Sequence, residues 1–264
     1  MRSKHTTLLI AGILLSTVAV AELHTPQCIK ACPDGAPQTN DVIVRSIYTL
    51  SSNDTTRFAD WVAYRVTPES IGPSRKRKWM ADPVLEDRET LEPDDYRGAN
   101  RVLGTDRGHL APLASFSGTA KWYQTNYLSN ITPQEADLNR GPWMRLESAV
   151  RAAAEAQGAT GVYVLTGTLY ERPMPALPRA DEPHLVPSGY WKTVAIKDAG
   201  QLDVAGFIFS QEVSRHLNYC NGLVPLDEIY KRSHLNLYPE VARDALVDRP
   251  ANLLRMLKCN QTEE

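Results

Sequence analysis

The apolar positions of this chain fall into short blocks whose period changes along the sequence. Val42 to Leu50 and Trp61 to Val66 are β-branched and aromatic runs bounded by turn residues, and each predicts a strand. Val162 to Leu169 is a continuous apolar run of strand length, and Trp191 to Ile196 and Val204 to Ser210 predict two further strands. Between these sets Trp143, Leu146, Val150 and Ala154 recur at spacings of three and four. That is one face of a helix whose first turn accepts Pro142 and which ends near Gly158. A second helix is predicted around Leu226 to Arg232. Thr67 to Asn100 has neither period and is rich in Pro, Asp, Arg and Gly, so it reads as a loop of a length usually tied to function or mobility. Strands and helices so mixed predict an α+β (mixed α/β) fold.

The first twenty-one residues stand apart from this pattern. Arg2 and Lys4 form a positive start, Leu8 to Val20 is an apolar run short for a membrane span, and Ala19-Val20-Ala21 is a small-residue cleavage site. A secretory signal peptide over 1–21, cut after Ala21, is expected, with 22–264 as a single domain. Export in turn changes the meaning of Cys28, Cys32, Cys220 and Cys259, because disulfides persist in oxidising compartments and no Cys-x-x-Cys pair supports a zinc site. Four cysteines allow three pairings. Cys28–Cys32 with Cys220–Cys259 is the simplest, since each bond joins neighbouring parts of the chain.

Charge adds a local feature. The chain carries 29 Lys+Arg against 31 Asp+Glu, and loss of Arg2 and Lys4 leaves 27 against 31, a net of about −4. A polyanionic partner therefore requires a concentrated basic patch. Arg75-Lys76-Arg77-Lys78, followed by Trp79, is such a patch, although an isolated run of this kind is also what a solvated loop looks like.

The densest polar chemistry lies between Thr105 and Glu147. His109 has Asp106, Arg107 and Gly108 before it, a glycine that lets backbone or substrate come close. Asn130 and Asn139 suit turns and helix caps, but Asn139 also stands where its side-chain oxygen could face outward as a ligand for a hard metal ion. Glu147 follows eight residues later, about 12 Å along a regular helix. If both serve one ion, Glu147 acts through a water, or the chain between them is not all helix.

These residues fall in longer motifs. Thr105-Asp106-Arg107-Gly108-His109, Asn126-Tyr127-Leu128-Ser129-Asn130-Ile131-Thr132-Pro133-Gln134 and Leu138-Asn139-x-Gly-x-Trp143-x-x-Leu146-Glu147 resemble the signature of the secreted sugar-non-specific DNA/RNA endonucleases with a ββα-metal core. The resemblance continues through Val164 to Arg172 and Pro187 to Lys192, and includes the cysteine layout. It implies a central, mainly antiparallel sheet flanked by helices. It also implies His109 as general base, Asn139 as the one direct protein ligand of Mg²⁺, with Mn²⁺ as a substitute, and Glu147 as support through a water. Asn130 would orient the site, and Arg77, Arg107 and Arg151 would contact phosphate or stabilise the transition state. The catalytic set is then His109, Arg107, Asn130 and Glu147, the partners are DNA and RNA as substrates, and a homodimer is left open.

The chemistry is consistent with the residues themselves. Phosphodiester hydrolysis needs an activated water and neutralisation of charge on the transition state, and a neutral imidazole, forked guanidiniums and a hydrated hard ion supply both. Two other classes fit the same side chains: a secreted metal-dependent phosphodiesterase for small molecules, and a non-catalytic nucleic-acid-binding protein. A serine hydrolase does not, because no Gly-x-Ser-x-Gly elbow occurs.

Overall fold

The computed structural model describes residues 22–259, so the expected signal peptide lies outside the described residues. In chain order the strands are β1 (Asp41–Val44), β2 (Tyr48–Ser52), β3 (Ala59–Val66), β4 (Thr105–His109), β5 (Ile131–Glu135), β6 (Val162–Leu169), β7 (Gly189–Asp198), β8 (Gln201–Ser210), β9 (Leu223–Val224) and β10 (Leu246–Asp248). The α-helices are α1 (Ala99–Leu103), α2 (Leu113–Phe116), α3 (Ala136–Leu138), α4 (Met144–Gln157), α5 (Leu226–Ser233) and α6 (Ala251–Met256). Eight strands form one sheet in the order β1-β2-β3-β6-β7-β8-β10, with β9 added to β8; every pairing is antiparallel except β10 with β8. β4 and β5 pair only with each other, as a separate two-stranded ribbon.

The large sheet is covered on both faces, and side-chain alternation along its strands decides which residue goes where. On one face Val62, Tyr64, Val164 and Val194 pack with Leu146, Val150 and Ala154 of α4. On the other, Trp61, Ala63, Leu165 and Trp191 pack with Leu226 and Ile229 of α5 and with the Cys28–Cys32 pair. The helix predicted from Trp143, Leu146, Val150 and Ala154 is thus α4, and its apolar stripe is the surface that meets the sheet.

The predicted strand Val42 to Leu50 is a hairpin instead. The chain reverses at Arg45 to Ile47, where Arg45 N donates to Tyr48 O at 2.9 Å, and Val44 comes to lie opposite Thr49. No glycine, proline or asparagine marks that turn, so the apolar pattern ran through it. Between β7 and β8 the turn is chemically explicit: Ala199 and Gly200 both take positive φ, 43° and 87°, which the tight reversal requires.

Both disulfides form as expected, Cys28–Cys32 and Cys220–Cys259, and no free cysteine remains among the described residues. Cys220–Cys259 ties the segment after β8 to the end of α6. Thr67 to Asn100 holds only two short 3-10 turns, Pro68–Ser70 and Asp87–Glu89, before α1 begins. No described helix is long and apolar enough to cross a membrane.

Candidate active site

Strand β4, the turn from Asn139 and the first half of α4 line a cleft of about 890 Å³. The loop carrying Arg75, Arg77 and Trp79 lines it too, and Asp106, Arg107, His109, Asn139, Glu147 and Arg151 all border the same space. The sequence spreads these residues over seventy-odd positions; the fold brings them together.

His109 is the last residue of β4, with its backbone opposite Ile131. Gly108 before it sits against Gln134, where an added Cβ would lie 2.5 Å from the Gln134 Oε1 and 2.6 Å from its Cβ. Glycine is therefore needed for the ribbon to close beside the histidine. The imidazole is buried under the Trp79 indole, with ring centroids 5.2 Å apart, and Nε2 lies 3.2 Å from the Asn126 Oδ1. In the tautomer whose Nε2–H donates to this amide oxygen, Nδ1 keeps the lone pair. Burial pushes the imidazole pKa down to about 4; the Asn126 contact works the other way and nearby Arg77 adds to the depression. His109 is neutral at pH 7.

Asn139 opens a wide helical turn, Asn139–Trp143, in which Gly141 leaves helical geometry at φ −106°, ψ −117° and Pro142 is included. Gly141 also abuts backbone: an added Cβ would meet the Arg215 carbonyl oxygen at 2.6 Å. The chain from Asn139 to Glu147 is thus not one regular helix, and the 12 Å helical separation does not apply. The Asn139 Nδ2 donates to the Asp106 Oδ2 at 2.9 Å. Asp106 also accepts from Asn100 Nδ2 at 3.0 Å and from Arg140 Nε and Nη2 at 2.7 and 2.6 Å. Burial alone would raise this carboxyl, but the Arg140 and Asn139 donors outweigh it and hold it below its ordinary range. The Asn139 amide is fixed from its nitrogen side, and its oxygen accepts no hydrogen bond among the described residues.

Glu147 is half-buried on the cleft, and burial pushes its carboxyl upward, opposed by the charges of Lys192, Arg151 and Arg77 and by the Trp143 indole. Lys192 is wholly buried beneath it, its ammonium 4.1 Å from the Trp143 ring centroid and 3.2 Å from the Tyr64 hydroxyl; burial lowers its pKa while Glu147 raises it. Trp143 connects this floor to the histidine, its Nε1 donating to the His109 carbonyl at 3.4 Å.

The three arginines differ. Arg107 donates from Nη2 to the Pro93 carbonyl at 2.7 Å, lies against Trp79 and Tyr96, and keeps a buried Nε with no protein partner. Arg151, one turn after Glu147 on α4, donates from Nη2 to Ser148 Oγ at 2.8 Å and leaves a buried Nη1 unpartnered. Arg77 is exposed and makes no hydrogen bond among the described residues. Unpartnered guanidinium donors at a cleft wall are groups that an anion would satisfy.

Asn130 is placed differently from the rest. It is fully buried behind the cleft wall, accepting from Ala111 N at 2.8 Å and donating to the Ala111 and Thr125 carbonyls, both at 2.9 Å. All its amide atoms are engaged with backbone, so it braces the chain after His109 and presents nothing to the cleft. Sequence reasoning missed Asn126, Asp106 as the partner of Asn139, Trp79 as the roof over His109, and Lys192. Asn126 and Lys192 did stand at the ends of motifs already singled out.

A two-stranded ribbon that ends on a histidine and runs through an amide-bearing turn into a helix is a ββα-metal nuclease core. The chain belongs to the DNA/RNA non-specific endonuclease family, whose profile matches residues 30–244. It is 40% identical to a nuclease of Serratia marcescens over 98% of this chain and 99% of that one. It is 29% identical to human mitochondrial endonuclease G over 78% of this chain and 72% of the relative. The crystal structure of an EndoG/EndoGI complex superposes with a TM-score of 0.67 over 78% of this chain and 89% of that chain, at 24% identity, a likeness of fold.

Proposed function

We propose that this protein is a secreted, Mg²⁺-dependent endonuclease that hydrolyses phosphodiester bonds of DNA and RNA with little sequence preference, leaving 5′-phosphorylated oligonucleotides. The observation that carries the reading is a neutral, roofed His109 in one cleft with the carboxylate-anchored Asn139 and three arginines. Family membership and a basic cleft wall support nucleic acid as the substrate. Contacts to phosphate and sugar carry no base information, which is why little sequence preference is expected.

In this reading His109 Nδ1 takes a proton from a water whose oxygen attacks phosphorus, and Nε2–H stays on Asn126. The bond from phosphorus to the 3′ oxygen breaks, and that oxygen leaves with a proton from solvent. Arg107 and Arg151 turn their free donors to the phosphate oxygens, and Arg77 binds the strand in the same cleft.

The donor set at the cleft fits a hard, hydrated ion. Among the described residues the groups of three His, Cys, Asp or Glu side chains that converge are Glu22, His24, Glu240 and Asp95, Asp181, Glu182, and neither lines the cleft. A single outward amide oxygen on Asn139, with Glu147 able to act through a water, suits Mg²⁺, which keeps most of its waters; Mn²⁺ would substitute. Such an ion would supply charge neutralisation to the phosphate and the leaving oxygen. Two disulfides and the signal-like first twenty-one residues support export.

The test is incubation of mature protein with plasmid and with total RNA, with Mg²⁺ and with chelator. Oligonucleotides from both polymers, only with metal, are expected. Binding without cleavage in Mg²⁺ would favour a nucleic-acid-binding protein, and activity confined to small diesters would favour a phosphodiesterase.

A further inference from the structure

The loop between β3 and α1 has no strand of its own, yet it brings Arg77 into the same cleft as Arg107 and sets Trp79 over His109. Three attachments hold it. Up to the first residue of the basic cluster, Gly72 N donates to Ser117 Oγ at 3.0 Å, Ser117 Oγ donates to the Gly72 carbonyl at 2.8 Å, and Arg75 Nε donates to the Ser117 carbonyl at 3.0 Å. Just after Trp79, Met80 joins the backbone of the segment behind the cleft: its N–H donates to Asn126 O at 3.3 Å, and Leu128 N–H donates to its carbonyl at 2.9 Å.

The third attachment is ionic. Asp82 is 2% exposed, and its carboxylate accepts from the Arg45 guanidinium, from Ser129 Oγ at 2.5 Å and from Val84 N at 3.2 Å. Arg45 comes from the β1–β2 turn, and its guanidinium lies 4.6 Å from the Tyr127 ring centroid. Asp82 is thereby fastened to two distant pieces of chain, one of which, Asn126 to Asn130, also supplies the Asn126 contact to His109 and the Asn130 brace.

A buried ion pair is a poor source of net stability, because desolvation offsets most of its attraction, but breaking one leaves an uncompensated charge. Its value is in fixing geometry. We propose that Asp82, together with Arg45 and Ser129, is a positioning residue that latches the basic loop onto the catalytic segment and so sets Arg77 and Trp79 in the cleft. The inference rests on reading the cleft as the nucleic-acid site, but not on the identity of the metal.

The test compares Asp82→Asn and Ser129→Ala with wild type by three readouts: trypsin nicking within Arg75 to Lys78, KM and kcat on long DNA, and the salt dependence of KM. A latch predicts that folded Asp82→Asn is nicked faster, that KM rises roughly tenfold or more with a smaller change in kcat, and that the salt slope flattens as in Arg77→Ala. Ser129→Ala should show the same pattern more weakly, and it carries the test if Asp82→Asn does not fold. A purely structural role would lower Tm while nicking, KM and salt slope stay at wild-type values, and that outcome overturns the proposal. Failure of wild type to cleave DNA would instead overturn the functional reading, and the nicking comparison would still report on the latch.

Discussion

Asn139 gives its amide nitrogen to Asp106 at 2.9 Å, so the orientation of the candidate metal ligand is set by the second residue of β4. Residues 33 positions apart thus act as one unit. Three other donors hold Asp106 itself, two from Arg140 and one from Asn100.

From this pairing, Asn139→Ala and Asp106→Ala should both raise the Mg²⁺ concentration needed for cleavage, with part of the rate restored at high metal. Partners behind a ligand typically matter by about 10- to 100-fold in metal affinity or activity. Mg²⁺ titrations of rate check this. If neither variant shifts its metal requirement, Asn139 is not the ligand.

His109→Ala should fold, still bind Mg²⁺ and nucleic acid, and lose roughly 10² to 10⁴ in rate without recovery at high metal. Rescue of this variant by Mg²⁺, with none for Asn139→Ala, would reverse the two assignments.

The pH dependence follows from the depressed pKa of His109. A neutral base is required, so the part of the acid limb of kcat/KM that His109 sets should lie near pH 4, well below the ordinary 6.5 of an imidazole and below the limb that the Glu147 carboxyl, pushed up by burial to about 7, would set. Stability has the same sign: the unfolded chain binds the proton more readily, so folding weakens as pH drops from about 6.5 toward 4. Asn126→Asp would put a carboxylate on Nε2, stabilise the imidazolium and move the limb toward neutral pH. pH–rate profiles of both proteins decide it; an unmoved limb would mean that another group controls it.

Arg77→Ala should flatten the plot of log affinity against log salt by about one unit, the signature of one lost phosphate contact, and affect KM more than kcat. An unchanged slope would return the Arg75 to Lys78 run to the status of a solvated loop.

The Cys220–Cys259 bond closes a loop of sequence separation 39 and should contribute roughly 3 to 4 kcal/mol on a chain-entropy model. Cys220→Ser/Cys259→Ser should lower the denaturant midpoint, and thiol titration of wild type should find no free thiol. Four reactive thiols in active protein would contradict export to an oxidising compartment.

Strands and helices with an apolar face were legible because burial imposes a period. The apolar run Val162 to Leu169 coincides with β6, and the ends expected for α4, near Gly158, and for α5, at Arg232, lie within two residues of the helix ends themselves. β4 and β5 carry no such signal, because Asp106, Gly108 and Pro133 are weak strand formers and the two strands pair only with each other. The site was legible as a set of residue types in motifs. What the motifs could not convey were the contacts across the fold: Asn126 to His109, Trp79 over the imidazole, Lys192 under Glu147. Asn130 shows the converse, a motif residue whose amide is spent entirely on backbone.

The Ala199–Gly200 turn offers something practical. Tyr190, near the start of β7, donates its hydroxyl to the Pro133 carbonyl on the ribbon, and β7 then runs eight residues to Asp198, about 26 Å at 3.3 Å per residue. The tip therefore points away from the catalytic wall, and a Cβ at Gly200 would meet nothing within 4 Å. It is a natural handle, where a fluorophore, an affinity tag or a surface tether could be grafted with the cleft left facing solution and open to a long polymer.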